Sequence, residues 1–563
     1  MSQLSEDPKR PGYVNTALLE DFCGSHPDLR GWWPAHSVDM VTGAKSAQYY
    51  LGHAQGYVPS SHDAAAHFWQ HYVNSPCIPN ASTQSRLIIE PMNECGVHAQ
   101  ELGTNFSEMT QRHIAIAERL HASTTGRRVL VGGPTSAYPA WQLRNFSYWQ
   151  AEMGYFISKA ARSVDFLSCH LYDTEKGLQP EETDNFRAGS NTQAILDLHE
   201  AYSASRTANG APLPHLISEY GGGFKMSMAL PYEPAHDWFV LRGVNGKLLE
   251  LLDRPDRLVK SIPFIVGRAT WDVEVGNKSY PFALWRQAAD HKGPWLRTAL
   301  WLFYELYSEL DGHRVSSRSD QANLQAQAFA NSSGSCWLLL NNLLDSEITV
   351  SIDWGALSGA PSLHIKRLYY DTATARPTLS STENATLLRH PHLTLMPYEA
   401  VVLRVQGATG QPEGATQVRS DVVHHSQRTL VPAHSAGVTH EFPVALSGGT
   451  AAASVARIRV GFGGPYGVAS CPPNITLDGQ AWVYDAEAVI GGHINQAPTG
   501  ESFLLVDVPR PAKPMADPII GRGVQREEGQ VVVGVEFQCS LAITISSVVV
   551  VTSVVTSSRL QSA

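Results

Sequence analysis

The sequence predicts an α/β barrel of the (β/α)8 type, open or incomplete at its N-terminus, followed by two antiparallel β-sandwich domains. Residues 127–312 alternate short apolar runs with helical patterns, as parallel strands joined by crossover helices do. After residue 315 helical periodicity fades, and short alternating runs appear between turns rich in Ser, Gly and Pro. Two of the apolar runs stop at a glutamate, Arg86-Leu-Ile-Ile-Glu-Pro-Met-Asn-Glu94 and His215-Leu-Ile-Ser-Glu219. Barrel strands end this way when they present acids at the catalytic rim.

In chain order, residues 87–93 form the first clear strand. Ser107 reads as an N-cap for a helix over 108–121, with Met109, Ile114, Ala117 and Leu120 at helical spacing. Strands follow at 128–133, 164–170, 213–219 and 261–267, and helices at 146–161, 192–205, 235–252 and 294–310. That makes five βα units. The 86 residues before Leu87 are crowded with His, Trp, Gly and Pro and hold no clear apolar strand, so they supply two compact units at most. The first sandwich has strands at 336–341, 348–352, 365–370, 393–396 and 400–405. A polar linker at 407–417 leads to the second, with strands at 456–462, 475–477, 503–508, 531–537 and 541–551. The resulting domains are 1–315, 316–408 and 415–555, with a tail at 556–563. The Val-rich final run is too short and too hydroxylated for a membrane helix, so no membrane contact is expected.

The chain has 563 residues, 43% of them hydrophobic and 17% charged, and a net charge of −10. That balance and the lack of a Lys/Arg cluster argue against a nucleic-acid partner. Seven scattered cysteines with no CxxC pair read as buried free thiols rather than a disulfide framework or a zinc site. The first ten residues hold no apolar signal core. Yet Asn-X-Ser/Thr sequons at Asn80, Asn105, Asn145, Asn277, Asn331, Asn384 and Asn474 point to a secretory route. An upstream segment would reconcile the two.

Glu94 and Glu219 are the candidate catalytic pair, since two facing carboxylates can cleave a glycosidic bond, one as general acid/base and one as nucleophile. Asn93 can donate to a sugar 2-hydroxyl. Tyr220 can hydrogen-bond Glu219 and keep it ionised, and the three glycines after it allow a tight turn. His170 and Tyr172 end another strand and can hold sugar hydroxyls or tune a carboxylate. Among Trp32, Trp33, Trp141, Trp149, Trp271 and Trp285, Trp141 and Trp271 follow strand ends and are the best sugar-stacking platforms. Arg268 can bind a hydroxyl or a sulfate, or pair with a rim carboxylate. There is no HExxH or related ligand spacing, no phosphate loop at Gly132-Gly133-Pro134 and no GxSxG elbow. No metal and no cofactor are expected.

Several segments together resemble the β-agarases and β-porphyranases of glycoside hydrolase family 86. They are Glu6-Asp-Pro-Lys-Arg-Pro-Gly-Tyr13, Ser37-Val-Asp-Met40, Glu90-x-x-Asn93-Glu94, Gly132-Gly-Pro-Thr135, His170-Leu-Tyr-Asp173, Ser218-Glu-Tyr-Gly221 and Leu302-Phe-Tyr-Glu-Leu-Tyr-Ser-Glu309. The resemblance implies a retaining clan A barrel with two following sandwiches, acting endo on β-1,4 linkages of agarose or porphyran. It places the acid/base on Glu94 and the nucleophile on Glu219, and implies an extracellular monomer whose partner is the polysaccharide. Pro91 and Cys95 depart from the family pattern. Family members also carry more chain before the Glu6 segment, so this chain is expected to be N-terminally incomplete. An impaired homologue that binds galactan without cleaving it is the alternative.

Overall fold

The computed structural model describes residues 6–25, 39–43, 61–75, 86–99, 103–123, 129–174, 186–223, 232–268, 282–287, 293–406, 416–446, 455–485, 490–492, 500–510 and 530–558. Six parallel strands form one curled, half-barrel sheet in sequence order: β1 (Asp39–Gly43), β2 (Arg86–Glu90), β3 (Val129–Ser136), β4 (Phe166–Tyr172), β5 (His215–Gly221) and β6 (Leu258–Pro263). Short apolar runs such as Leu-Ile-Ile in β2 suit strands covered on both faces. Helices α1 (His62–Asn74), α2 (Phe106–Ala122), α3 (Ser190–Ala204) and α4 (Pro234–Leu251) make four of the five crossovers, and two short helices, Ser147–Ala151 and Met153–Ala160, make the one between β3 and β4. In α1 the Ser61 side chain caps Ala64 N, and Ala65, Phe68, Trp69 and Val73 form the buried stripe. These residues join Leu87, Ile89, Val131, Leu167, Ile217 and Leu241 in one core.

Gly132 and Gly133 have a packing reason rather than a ligand. A Cβ at Gly132 would lie 2.4 Å from Phe166, and one at Gly133 would lie 2.7 Å from His113. The strand can approach its neighbours this closely only without side chains there.

Several local expectations are corrected. Asp39–Gly43, too polar to read as an apolar strand, nevertheless pairs with β2, within the two compact units allowed before Leu87. Asn105, not Ser107, caps α2 by accepting from Glu108 N, and Ser107 instead meets the Tyr155 hydroxyl at 2.6 Å. The helix expected over 146–161 is broken at Glu152 into Ser147–Ala151 and Met153–Ala160. The helix expected over 294–310 shrinks to Trp301–Tyr307, and Leu296–Arg297 pairs as a strand.

The C-terminal half is antiparallel β. A six-stranded sheet between His313 and Gln406 shares a core, including Leu340, Leu363, Leu395 and Leu403, with the pair Ile348–Ser351 and His392–Leu395. A five-stranded and a four-stranded sheet follow, with Phe442, Val460, Phe462, Val506, Val533 and Ile545 in a common core. The final strand, Ile543–Ser558, takes in the first residues of the expected tail. The cysteine reading is also corrected. Cys471 and Cys539, 68 positions apart, form a disulfide, and Cys23 is disulfide-bonded too. Cys95, Cys169 and Cys336 are free. Nothing in their spacing marks Cys471 and Cys539 as a pair; packing of the two sheets brings them together.

The last sheets dock on α3 through buried charge. Arg254 bridges Asp197 (2.6 Å) and Glu200 (2.7 Å), and Arg459, from the strand Val455–Gly464, donates to Asp197 at 2.9 Å. His425 lies 3.4 Å from Glu200. Ser190 and Asn191 donate to the carbonyls of Leu505 and Phe503, each at 2.9 Å.

Glu250, in α4, ties the half-barrel to the first antiparallel sheet by accepting from Gly189 N (3.1 Å) and Gln325 Nε2 (2.8 Å). Burial, reinforced by the nearby Asp253, pushes its carboxyl up to about 7. An acid raised by folding holds its proton more tightly when native, so stability is greatest below its unfolded pKa and falls as pH rises through about 7. Glu250→Gln keeps an oxygen to accept both bonds. Its thermal midpoint is expected to match wild type at pH 4 and to exceed it at pH 8.5, by roughly 3 kcal/mol of stability at most. Melting curves at both pH values check this.

Candidate active site

Glu94 ends the segment after β2. It occupies the cap position of a four-residue helix, Cys95–His98, in a left-handed conformation (φ 49°), but its side chain caps nothing. The carboxylate is thus free to face β4 and β5 instead. Glu94 Oε1 lies 2.9 Å from His170 Nδ1, and Glu94 Oε2 lies 3.6 Å from His98 Nε2. His170 Nδ1 is also 3.4 Å from Glu219 Oε2, which accepts a 2.6 Å hydrogen bond from the Tyr172 hydroxyl. Pairing of β4 with β5 sets this up, since His170 stands opposite Glu219 in the sheet. An oxygen of Glu94, a ring nitrogen of His170 and an oxygen of Glu219 all lie within 4.8 Å of one another. Among the described residues this is the cluster that could hold a metal ion. The His170–Glu94 hydrogen bond shows how the same atoms can instead share a proton.

The charges are coupled. Burial pulls His170 down, but its hydrogen bond to Glu94 and the charges of Glu219, Glu94 and Glu90 raise it overall. Burial pushes Glu94 up, yet the bond and charge of His170, followed by His98, hold it below the usual carboxylate range. Glu219 stays raised, chiefly by burial, against the pull of His170 and Tyr172. The shifts of His170 and Glu94 both favour a proton on the His170 side of their shared hydrogen bond.

The other sequence candidates divide. Asn93 is half-buried beside Glu94. Tyr220 does not reach Glu219. It is 1% exposed, and its hydroxyl bonds Ser261 on β6. One step along a strand turns a side chain to the other face, so the tyrosine on Glu219 comes from β4. Trp141 is fully buried and donates to His199 at 2.9 Å, leaving no face for a sugar. Trp149 is buried beside it, 5.5 Å away. Arg268 is exposed and lies over the Trp295 ring at 4.9 Å. Trp32, Trp33 and Trp271 lie outside the described residues. Sequence reasoning missed a third acid, Glu90, only 7% exposed beneath the pair. Its signal was a carboxylate directly after Leu-Ile-Ile, inside a run read as apolar.

No family model matches the chain. Over 482 residues it is 30% identical to beta-porphyranase A of Phocaeicola plebeius, covering 81% of this chain and 61% of that protein. BpGH86A, a beta-porphyranase of glycoside hydrolase family 86 from the human gut bacterium Bacteroides plebeius, superposes with a TM-score of 0.73, covering 92% of this chain and 86% of that one at 24% identity. The chain belongs to glycoside hydrolase family 86. The family's fold extends to BuGH86, solved with neoagarooctaose, at a TM-score of 0.83 over 98% of this chain and 88% of that one, with 19% identity. This family-86 chain thus spans about three fifths of the curated porphyranase it matches. None of its described helices is long and apolar enough to cross a membrane.

Proposed function

We propose that the protein is a retaining, endo-acting glycoside hydrolase that cleaves β-1,4 galactosidic linkages in a red-algal galactan, agarose or porphyran. The observation that carries this is that one carboxylate oxygen of Glu94 and one of Glu219 lie within 4.8 Å of each other, bridged by His170. Retention needs carboxyl groups ~5–5.5 Å apart, whereas inversion needs room for a water at roughly 6.5–9.5 Å. In this reading the His170 Nδ1 proton passes to Glu94 Oε1, leaving the imidazole neutral. Glu94 then protonates the glycosidic oxygen while Glu219, oriented by Tyr172, attacks the anomeric carbon. The covalent glycosyl-enzyme forms as the aglycone leaves, and Glu94 next takes a proton from the water that releases it. Similarity to a porphyranase and to the fold of a neoagarooctaose complex supports a galactan substrate. The same reading carries the full (β/α)8-type barrel, two sandwich domains divided near residues 315 and 410, and a monomer working outside the cell. The Cys471–Cys539 disulfide supports the oxidising compartment.

Incubation with agarose and with porphyran, with sizing of the products and early NMR of the new reducing end, tests this. Oligosaccharides that first appear as the β-anomer are expected from one of the two polymers. Monosaccharide alone would refute endo action, and a first-formed α-anomer would refute retention. Binding without cleavage would favour a galactan-binding protein.

A further inference from the structure

Glu90 sits in β2, four residues before Glu94, with its carboxylate turned under the site. Its Oε1 accepts from Ser218 Oγ at 2.9 Å and from Thr135 Oγ1 at 3.2 Å. Thr135 also meets Ser168 Oγ at 3.1 Å, and Ser168 bonds Glu90 as well. Glu90 therefore grips the three strands that follow it, β3, β4 and β5.

Both nearest donors stand at irregularities in those strands. In β3, Pro134 pairs with Ser168 and Ser136 with Cys169, so Thr135 is an extra residue, held at φ 56°. A β-branched residue there is strained and needs fixing from outside. In β5, Leu216 pairs with Ser168 and Glu219 with His170, so an extra residue lies between them. This bulge has a visible result. Consecutive side chains of a regular strand point to opposite faces. Here Ser218 reaches Glu90 while the adjacent Glu219 reaches Tyr172 and His170, so both turn to the interior. A bulge re-aims side chains in this manner.

We propose that Glu90 is a positioning residue that pins the β5 bulge through Ser218, and so aims Glu219 at Glu94. The proposal rests on the glycosidase reading above. Burial makes this carboxylate harder to ionise, against the charge of His170 and the hydroxyls of Ser168, Ser218 and Thr135. A neutral acceptor can thus take over its part. Glu90→Gln keeps an oxygen for the two hydroxyls, whereas Glu90→Leu keeps the bulk and loses the acceptor.

Crystal structures and steady-state kinetics of both variants test the proposal. In Glu90→Leu the bulge is expected to relax, and the Tyr172–Glu219 bond to open beyond ~3.5 Å. Its kcat should fall roughly 10- to 100-fold with KM within about twofold, while Glu90→Gln stays within about threefold of wild type. If Glu90→Leu does not fold, Ser218→Ala removes the same contact from the other end and should open the same bond. An intact bulge and Tyr172 bond in the variant lacking the contact, or equal losses of kcat in the Gln and Leu variants, overturn the proposal. If wild type cleaves no galactan, the functional reading has failed, and the geometry of β5 alone then decides the role of Glu90.

Discussion

Glu219→Ala is expected to abolish turnover, with kcat on the galactan polymer falling by roughly 10⁴-fold or more. Glu219 is the carboxylate the site orients most firmly, through the 2.6 Å bond from Tyr172 and the nearby His170 nitrogen. Without it no covalent intermediate forms. The substitution also opens a space beside the anomeric carbon that azide can enter. Azide attacking from that side gives a glycosyl azide of inverted configuration, identifiable by NMR. Partial rescue by azide with inversion marks Glu219 as the nucleophile. A retained azide product, or a mutant as active as wild type, removes it from that role.

Glu94→Gln should cost about 10² to 10⁴ in kcat on the polymer, the usual worth of a positioned proton donor. The loss depends on the leaving group. An aryl glycoside with an acidic phenol needs little protonation, so glycosylation of Glu219 should stay fast and the intermediate should accumulate. Rapid mixing should show a burst of phenol followed by slow release. With azide, the second step yields a glycosyl azide of retained configuration, opposite to the Glu219→Ala product. His170 also loses the carboxylate that most strongly holds its proton, so the pH profile should change along with kcat. Equal losses on the polymer and on the activated glycoside would move the acid/base role away from Glu94.

What the sequence disclosed about this site follows from what is local. Glu94 and Glu219 were legible because each closes an apolar run, and His170 and Tyr172 because they end another. The partner of Glu219 was not. Tyr220 adjoins it in sequence, but strand alternation turns that side chain away, and only sheet register brings Tyr172 across. Trp141 follows a strand end as a rim residue would, yet its indole turns inward onto His199. The roles of Glu90, Thr135 and Ser218 depend on bulges, and a bulge is a fact about two strands that neither reveals alone. The alternation of strands and helices, and the change to all-β texture, were plain from periodicity. The polar strand Asp39–Gly43 was not, because five residues with an Asp, a Thr and a Gly carry little pattern.

The charged seam on α3 bears on how such a chain can be rearranged. Asp197 is fully buried and accepts through one oxygen, Oδ1, from both Arg254 and Arg459, which come from opposite sides of the seam. Cutting away the last sheets would uncover Asp197 and Glu200 and take Arg459 from the first and His425 from the second. It would also orphan the Ser190 and Asn191 donors and bare the apolar face above them. Glu200 further contacts His215, the first residue of the strand that carries Glu219, so the damage would reach the strand of the proposed nucleophile. The last sheets are therefore no interchangeable appendage of the kind that recombination moves between enzymes. Gene shuffling, natural or engineered, would have to exchange them together with α3 or re-match both sides of the seam.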